Sequence, residues 1–275
     1  MQLTKWVYDR MNFSIVLSTQ PTSFSALAYK GQIADNIKKI KELGYDGVEL
    51  AVRDPKLLDL NRLNLVLKET CLQVPAIGTG QAYGEEGLSF TNPDKEVRRK
   101  AIDRIKFQME LAEHFNAVVI IGLVRGKKES DLSYERVEDW LIEALSECAL
   151  ANENIKLAIE PIHRYETNLI NTVNSGLLFL EKLDKINVGL LLDTFHMNIE
   201  EPSIVESIKN AKERLFHFHV ADSNRWYPSA GHIDFKIIFD TLQKIKYNGF
   251  ISAEILPLPD PDTAAKITID FLRRC

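Results

Sequence analysis

The chain has 275 residues, 45% hydrophobic and 27% charged, with a formal net charge of −5. This is the composition of an ordinary globular protein, and the length suits one α/β barrel or two small domains. The acidic balance argues against nucleic acid, which is gripped by clustered Lys and Arg, and no apolar run nears the roughly 18 residues of a membrane span.

The opening MQLTKWVYDRMNF lacks the apolar stretch of a signal peptide. Cys71, Cys148 and Cys275 show no CxxC spacing and leave one thiol over in any disulfide scheme, so a reducing cytoplasm is expected. Two of the three fall on helical patterns and read as core. Residues 1–11 precede the first clear strand pattern and read as an N-terminal extension or the start of strand one. Residues 12–275 then form one domain.

Eight β-rich runs follow: FSIVLS near 13, DGVELAV near 46, VPAIG near 74, AVVIIGLV near 117, KLAIEPI near 156, VGLLLDT near 188, LFHFHVA near 215 and FISAEIL near 250. Several are almost continuously apolar, as parallel strands covered on both faces are. Between them lie amphipathic runs such as GQIADNIKKIKELG, PDKEVRRKAIDRIKFQMELAEHF and SYERVEDWLIEALSECALANEN. Strand and helix alternating eight times predict an α/β fold, a single-domain (β/α)8 TIM barrel. Gly44-Tyr45-Asp46-Gly47 and Tyr247-Asn248-Gly249 read as helix C-cap turns feeding strands two and eight. A doubly wound open sheet would place a Gly-rich phosphate loop after strand one, where LSTQPTSFSALAYKG has none.

Barrel enzymes carry their chemistry at the C-terminal ends of strands. Strand five ends in Glu160, strand six in Asp193, strand seven in His219 and strand eight in Glu254, each after an apolar run. Three carboxylates and an imidazole converging on one arc would repel and be desolvated unless a cation lay among them. One divalent metal is therefore expected. Mn2+ is favoured, with Mg2+, Co2+ or Zn2+ as alternatives. His217 shares a strand face with His219 but lies further from the mouth, and reads as an interior histidine. His196, three residues past Asp193, reads as a substrate contact. The long loop after strand seven offers Arg225 to a substrate oxygen and leaves His232 unassigned. PIHRYE, after strand five, offers Arg164 and Glu166.

EPIHRYE, LLDTFHMN, HFHVADSNR with GHIDF, and GFISAEILP together resemble the xylose-isomerase-like superfamily of sugar isomerases and epimerases, over nearly the whole chain. Within it the chain resembles the D-tagatose and D-psicose 3-epimerase group, and through AIGTGQAY and VIIGLVRG the 5-keto-L-gluconate epimerase branch. The resemblance implies metal ligands at Glu160, Asp193, His219 and Glu254, and an acid/base pair of Glu160 and Glu254. It also implies substrate contacts at His196, Arg225 and Glu166, and a dimer or tetramer. The abasic-site endonucleases of the same superfamily need further ligands. Strand two offers only Glu49 and Asp54 toward these, and strands three and four end without His or acid.

Two glutamates on opposite faces of an enediolate would give epimerisation, whereas one base acting alone would give an aldose-ketose isomerase of the hydroxypyruvate isomerase type. A ketose dehydratase and a non-catalytic sugar-binding barrel are the remaining alternatives. Arg125, Lys127, Lys128, Arg164 and Arg225 crowd the expected mouth. They suggest a keto-sugar acid such as 5-keto-L-gluconate, with Arg125 as the anion contact, alongside an uncharged ketohexose.

Overall fold

The computed structural model describes residues 11–275, so the expected N-terminal extension lies outside the described residues except for Met11. Eight parallel strands form the barrel: β1 (Asn12–Ser18), β2 (Gly47–Ala51), β3 (Ala76–Gly78), β4 (Val118–Ile121), β5 (Leu157–Ile159), β6 (Val188–Asp193), β7 (Leu215–Val220) and β8 (Phe250–Ala253). Each pairs with the next, and β8 closes on β1 in the register Asn12↔Phe250 to Ile15↔Ala253. A two-residue strand, Tyr29–Lys30, adds to the end of β1. All eight strands expected from the sequence are present.

Among the described residues ten α-helices surround the barrel: α1 (Ile33–Leu43), α2 (Leu60–Thr70), α3 (Gly80–Glu86), α4 (Lys95–Phe115), α5 (Tyr134–Ala151), α6 (Val173–Leu183), α7 (Thr194–Glu200), α8 (Ile204–Ala211), α9 (Phe235–Lys244) and α10 (Pro261–Leu272). Their ends follow local chemistry. Asp94, Ser133 and Asp260 accept backbone N–H bonds at N-caps, and Thr172 forms a capping box with Ser175. Gly44 caps α1 at φ 97°, as the sequence suggests. At the second expected turn the left-handed residue is Lys246 at φ 61°, one position before Tyr247.

The main hydrophobic core lies between sheet and helices, and the period of two divides each strand between it and the barrel interior. Leu157 and Ile159 of β5, Leu190 and Leu192 of β6, Phe218 and Val220 of β7, and Ile251 and Ala253 of β8 belong to that outer core. A smaller cluster of Ala76, Ile120, Ala158 and Leu191 fills the barrel's inside. The alternation therefore turns Glu160, Asp193, His219 and Glu254 inward at the upper rim. Cys148 is buried, while Cys71, at the C-cap of α2, and Cys275 are exposed. Only one of the two cysteines expected on core positions is in the core.

Candidate active site at the mouth of the barrel

Glu160, Asp193, His219 and Glu254 each offer a donor atom within 4.8 Å of the others. Glu160 Oε1, Asp193 Oδ2 and His219 Nδ1 are buried with no hydrogen-bond partner among the described residues. Buried polar atoms normally find partners, so three orphans on converging side chains mark a position for a bound group. Electrostatics agrees. Burial, reinforced by the charge of Glu254, pushes the Glu160 carboxyl up to about 8, and burial raises Asp193 to about 6. Asp193 also caps α7 by accepting from Phe195 N at 2.8 Å, which fixes its orientation. Gly122 follows β4 because a Cβ there would stand 2.9 Å from Glu160 Oε2.

Beneath this set lies Glu49, on the inward face of β2 and buried. His217 donates its Nε2 proton to Glu49 Oε2 at 2.8 Å, and His219 Nε2 lies 3.1 and 3.0 Å from the two Glu49 oxygens. Burial alone would raise Glu49 and lower His219. Their pairing reverses both, holding Glu49 well below the carboxylate range and His219 up at about 10. With Nε2–H directed at Glu49, His219 presents Nδ1 to the three carboxylates.

A second network covers the set from the side. Arg225, at φ 62°, donates to Glu254 Oε2 at 2.6 Å and to Glu166 Oε1 at 3.1 Å, and its guanidinium lies 4.9 Å from the Phe195 ring. Tyr165 N donates to Nδ1 of His163, which leaves His163 Nε2, 3.2 Å from Glu166 Oε1, as the donor to that carboxylate. His196 Nε2 lies 3.5 Å from Glu160 Oε1, and burial holds its imidazole neutral, well below the usual histidine range. The loop carrying Arg225 is pinned by buried Asp222, which accepts from Ser223, Ser229 and Ile233 N–H. Glu160, Glu166, His196, His219, Arg225 and Glu254 share one cavity of about 550 Å3, a volume that includes open solvent at its mouth, and apolar residues including Phe24, Leu27 and Ile162 also line it.

Residues 37–275 match the family described as xylose isomerase-like TIM barrel. The chain belongs to this family. The D-psicose 3-epimerase of Agrobacterium fabrum (strain C58) is 41% identical to it over 229 residues, covering 79% of this chain and 77% of the relative. The 3-dehydro-D-guloside 4-epimerase of Escherichia coli (strain K12) is 27% identical over 274 residues, covering 94% and 99%. A solved structure of D-allulose 3-epimerase from Methylomonas sp. with D-allulose superposes with a TM-score of 0.81 at 25% identity, covering 96% of this chain and 97% of that one. As a member of the xylose isomerase-like family with such relatives, the chain is an isomerase of the carbohydrate epimerase type.

In this family member the expected anion contact, Arg125, is placed elsewhere. It is fully buried, and its guanidinium donates to the carbonyls of Gly122, Leu169 and Ile170 at 3.0 to 3.3 Å, tying the loop after β4 to the loop after β5. Burial lowers it to about 10. The other expected rim cations are also engaged or peripheral. Arg164 pairs with Glu200 at 2.7 Å, and Lys128 Nζ donates to the carbonyls of Glu129 and Leu132. Lys127 is exposed. His232 is exposed, with Nδ1 2.9 Å from Ser223 Oγ. Two residues emerge here with roles that the sequence did not give them: Glu49, which reads there only as a possible further ligand at the end of strand two, and His163, which lies in the EPIHRYE motif with no role assigned. Among the described residues no helix is long and apolar enough to cross a membrane.

Proposed function

We propose that this protein is a divalent-metal-dependent ketose epimerase acting on the carbon beside the ketone of an uncharged ketose. The observation that carries this is the ligand-ready set Glu160, Asp193, His219 and Glu254, with three buried orphan atoms facing one another. A hard, oxygen-rich set with one imidazole favours Mn2+ over zinc. Two neighbouring groups, Glu49 with His217 and His219, and His163 with Glu166 and His196, also bring donor atoms together. In the first, the converging Nε2 and carboxylate atoms already satisfy one another.

When bound, the metal would supply Lewis-acid stabilisation of the enediolate oxygen and fix the ketone and its neighbouring hydroxyl. Glu160 and Glu254 would remove the proton on one face of the carbon and return it on the other. Arg225, anchored between Glu254 and Glu166, positions one of these carboxylates and closes the site from the side. Neutral His196 is suited to donate to or accept from a substrate oxygen without adding charge. The uncharged substrate follows from the cations. Among the described residues Arg225 is the only Arg or Lys lining the cavity, and it already serves two carboxylates, so none of them there is left free for a sugar carboxylate. The names of the relatives D-psicose 3-epimerase and 3-dehydro-D-guloside 4-epimerase both point to a carbon adjoining the ketone, which supports this reading.

The test is proton NMR in deuterated water of the Mn2+-reconstituted, then chelated and Mg2+-reloaded enzyme, with ketopentoses, ketohexoses and keto-gluconates. Deuterium entering beside the ketone of a neutral ketose, together with its epimer, is the expected result. An aldose product, or turnover confined to the keto-gluconates, would overturn the assignment.

A further inference from the structure

Gln81 stands in the first turn of α3, just beyond β3, with 4% of its surface exposed, and lines the same cavity as Glu160, His219 and Glu254. In an eight-strand ring β3 is opposite β7, so Gln81 faces His219 across the mouth. Its amide orientation follows from its neighbour. Ser18 Oγ donates its only proton to the carbonyl of Gln20 at 2.6 Å, so toward Gln81, 2.7 Å away, it can only accept. The amide nitrogen of Gln81 must therefore face Ser18, and its Oε1 is left buried without a donor. Among the described residues no donor reaches it. Thr79, two residues before Gln81, gives its proton to the Ile120 carbonyl at 2.6 Å.

We infer that Gln81 is a specificity-determining residue whose Oε1 accepts a hydrogen bond from a hydroxyl at the end of the ketose remote from the ketone. This rests on the ketose epimerase reading above. The reacting carbons are held at the arc of β5 to β8, so a sugar spanning the cavity brings its C5 and C6 hydroxyls toward β3. An acceptor buried and unpaired in the free protein rewards a ligand that supplies a donor and penalises one that places a CH group there. A water in the free protein would be displaced by such a hydroxyl at little net cost, whereas a deoxy sugar would leave the amide oxygen unpaired.

The experiment compares the Mn2+-loaded wild type with Gln81→Leu on a ketohexose, its 5-deoxy and 6-deoxy forms, and the ketopentose that lacks C6. The wild type is expected to lose about tenfold or more in kcat/KM, chiefly through KM, on one deoxy sugar, while Gln81→Leu treats the same pair within about twofold. A Gln81 that merely held α3 in place would lower activity on every sugar by the same factor and leave the preference untouched, which would overturn the inference. Equal kcat/KM of the wild type on all the deoxy sugars would overturn it too, whether or not the variant folds. No turnover of any ketose by the wild type would instead overturn the epimerase reading itself, and this inference with it.

Discussion

Glu49 and His219 meet inside the barrel, both carboxylate oxygens lying 3.1 and 3.0 Å from the imidazole Nε2, with His217 on the same carboxylate. The contact spans 170 residues of chain and joins β2 to β7 across the barrel. It fixes Nε2–H on Glu49 and so turns Nδ1 of His219 toward the three carboxylates, the arrangement by which outer carboxylates orient metal-binding histidines. Glu49→Gln should therefore weaken Mn2+ binding by roughly 10- to 100-fold with the fold retained. Competition with a chelator measures this directly, and wild-type affinity in a folded variant would refute the orienting role.

Gly122→Ala tests the packing around Glu160. The added methyl would stand 2.9 Å from Glu160 Oε2, so the carboxylate must move. Near-normal thermal stability with impaired metal binding and turnover is expected. A variant active at the wild-type level would show that Glu160 has room to spare.

On the proposed mechanism Glu160→Gln and Glu254→Gln should each remain folded and lose epimerisation, since each would remove one face of the proton transfer. Retained turnover in both variants, followed by deuterium incorporation, would exclude the two-glutamate mechanism. Glu254→Gln additionally leaves Arg225 with Glu166 as its remaining carboxylate partner.

The metal-free protein should show a defined pH dependence. Glu160 is raised in the fold to about 8, so its contribution to stability is present below the ordinary carboxylate range and is lost as pH rises through about 8. Asp193, raised to about 6, has the same sign. In chelator, the melting temperature of Glu160→Gln relative to wild type should therefore rise with pH over that interval, and saturating Mn2+ should stabilise wild type most at the alkaline end. A difference that does not change with pH would contradict the burial of this carboxyl.

Arg125→Met should destabilise the protein, by roughly 2 kcal/mol or more, because it leaves the buried carbonyls of Leu169 and Ile170 without a donor, while Gly122 keeps the backbone N–H of residue 125. Its effect on KM should be the same for neutral ketoses and sugar acids. A selective loss toward acids would restore Arg125 as an anion contact.

Much of this architecture was legible in the amino-acid sequence. Apolar runs set the eight strands, period-two alternation turned Glu160, Asp193, His219 and Glu254 inward, and each stood where an apolar run met its polar residue. These are local signals, since a strand's faces are fixed by its own backbone. Partnership is not local. Arg125 reads as a rim cation until the loop after β5 closes over it with carbonyls. Glu49 reads as a strand acid until β7, 168 positions away from it at His217, brings two histidines against it. Gln81 stands in the sequence only as part of AIGTGQAY, and Ser18, 63 positions away, is what fixes its amide. Residue types and spacing determined that Glu160, Asp193, His219 and Glu254 stand at the mouth. Only the closed barrel decided which of them neutralise one another and which stay unpartnered, because hydrogen-bonding over a few ångströms depends on strands that meet solely in the tertiary structure.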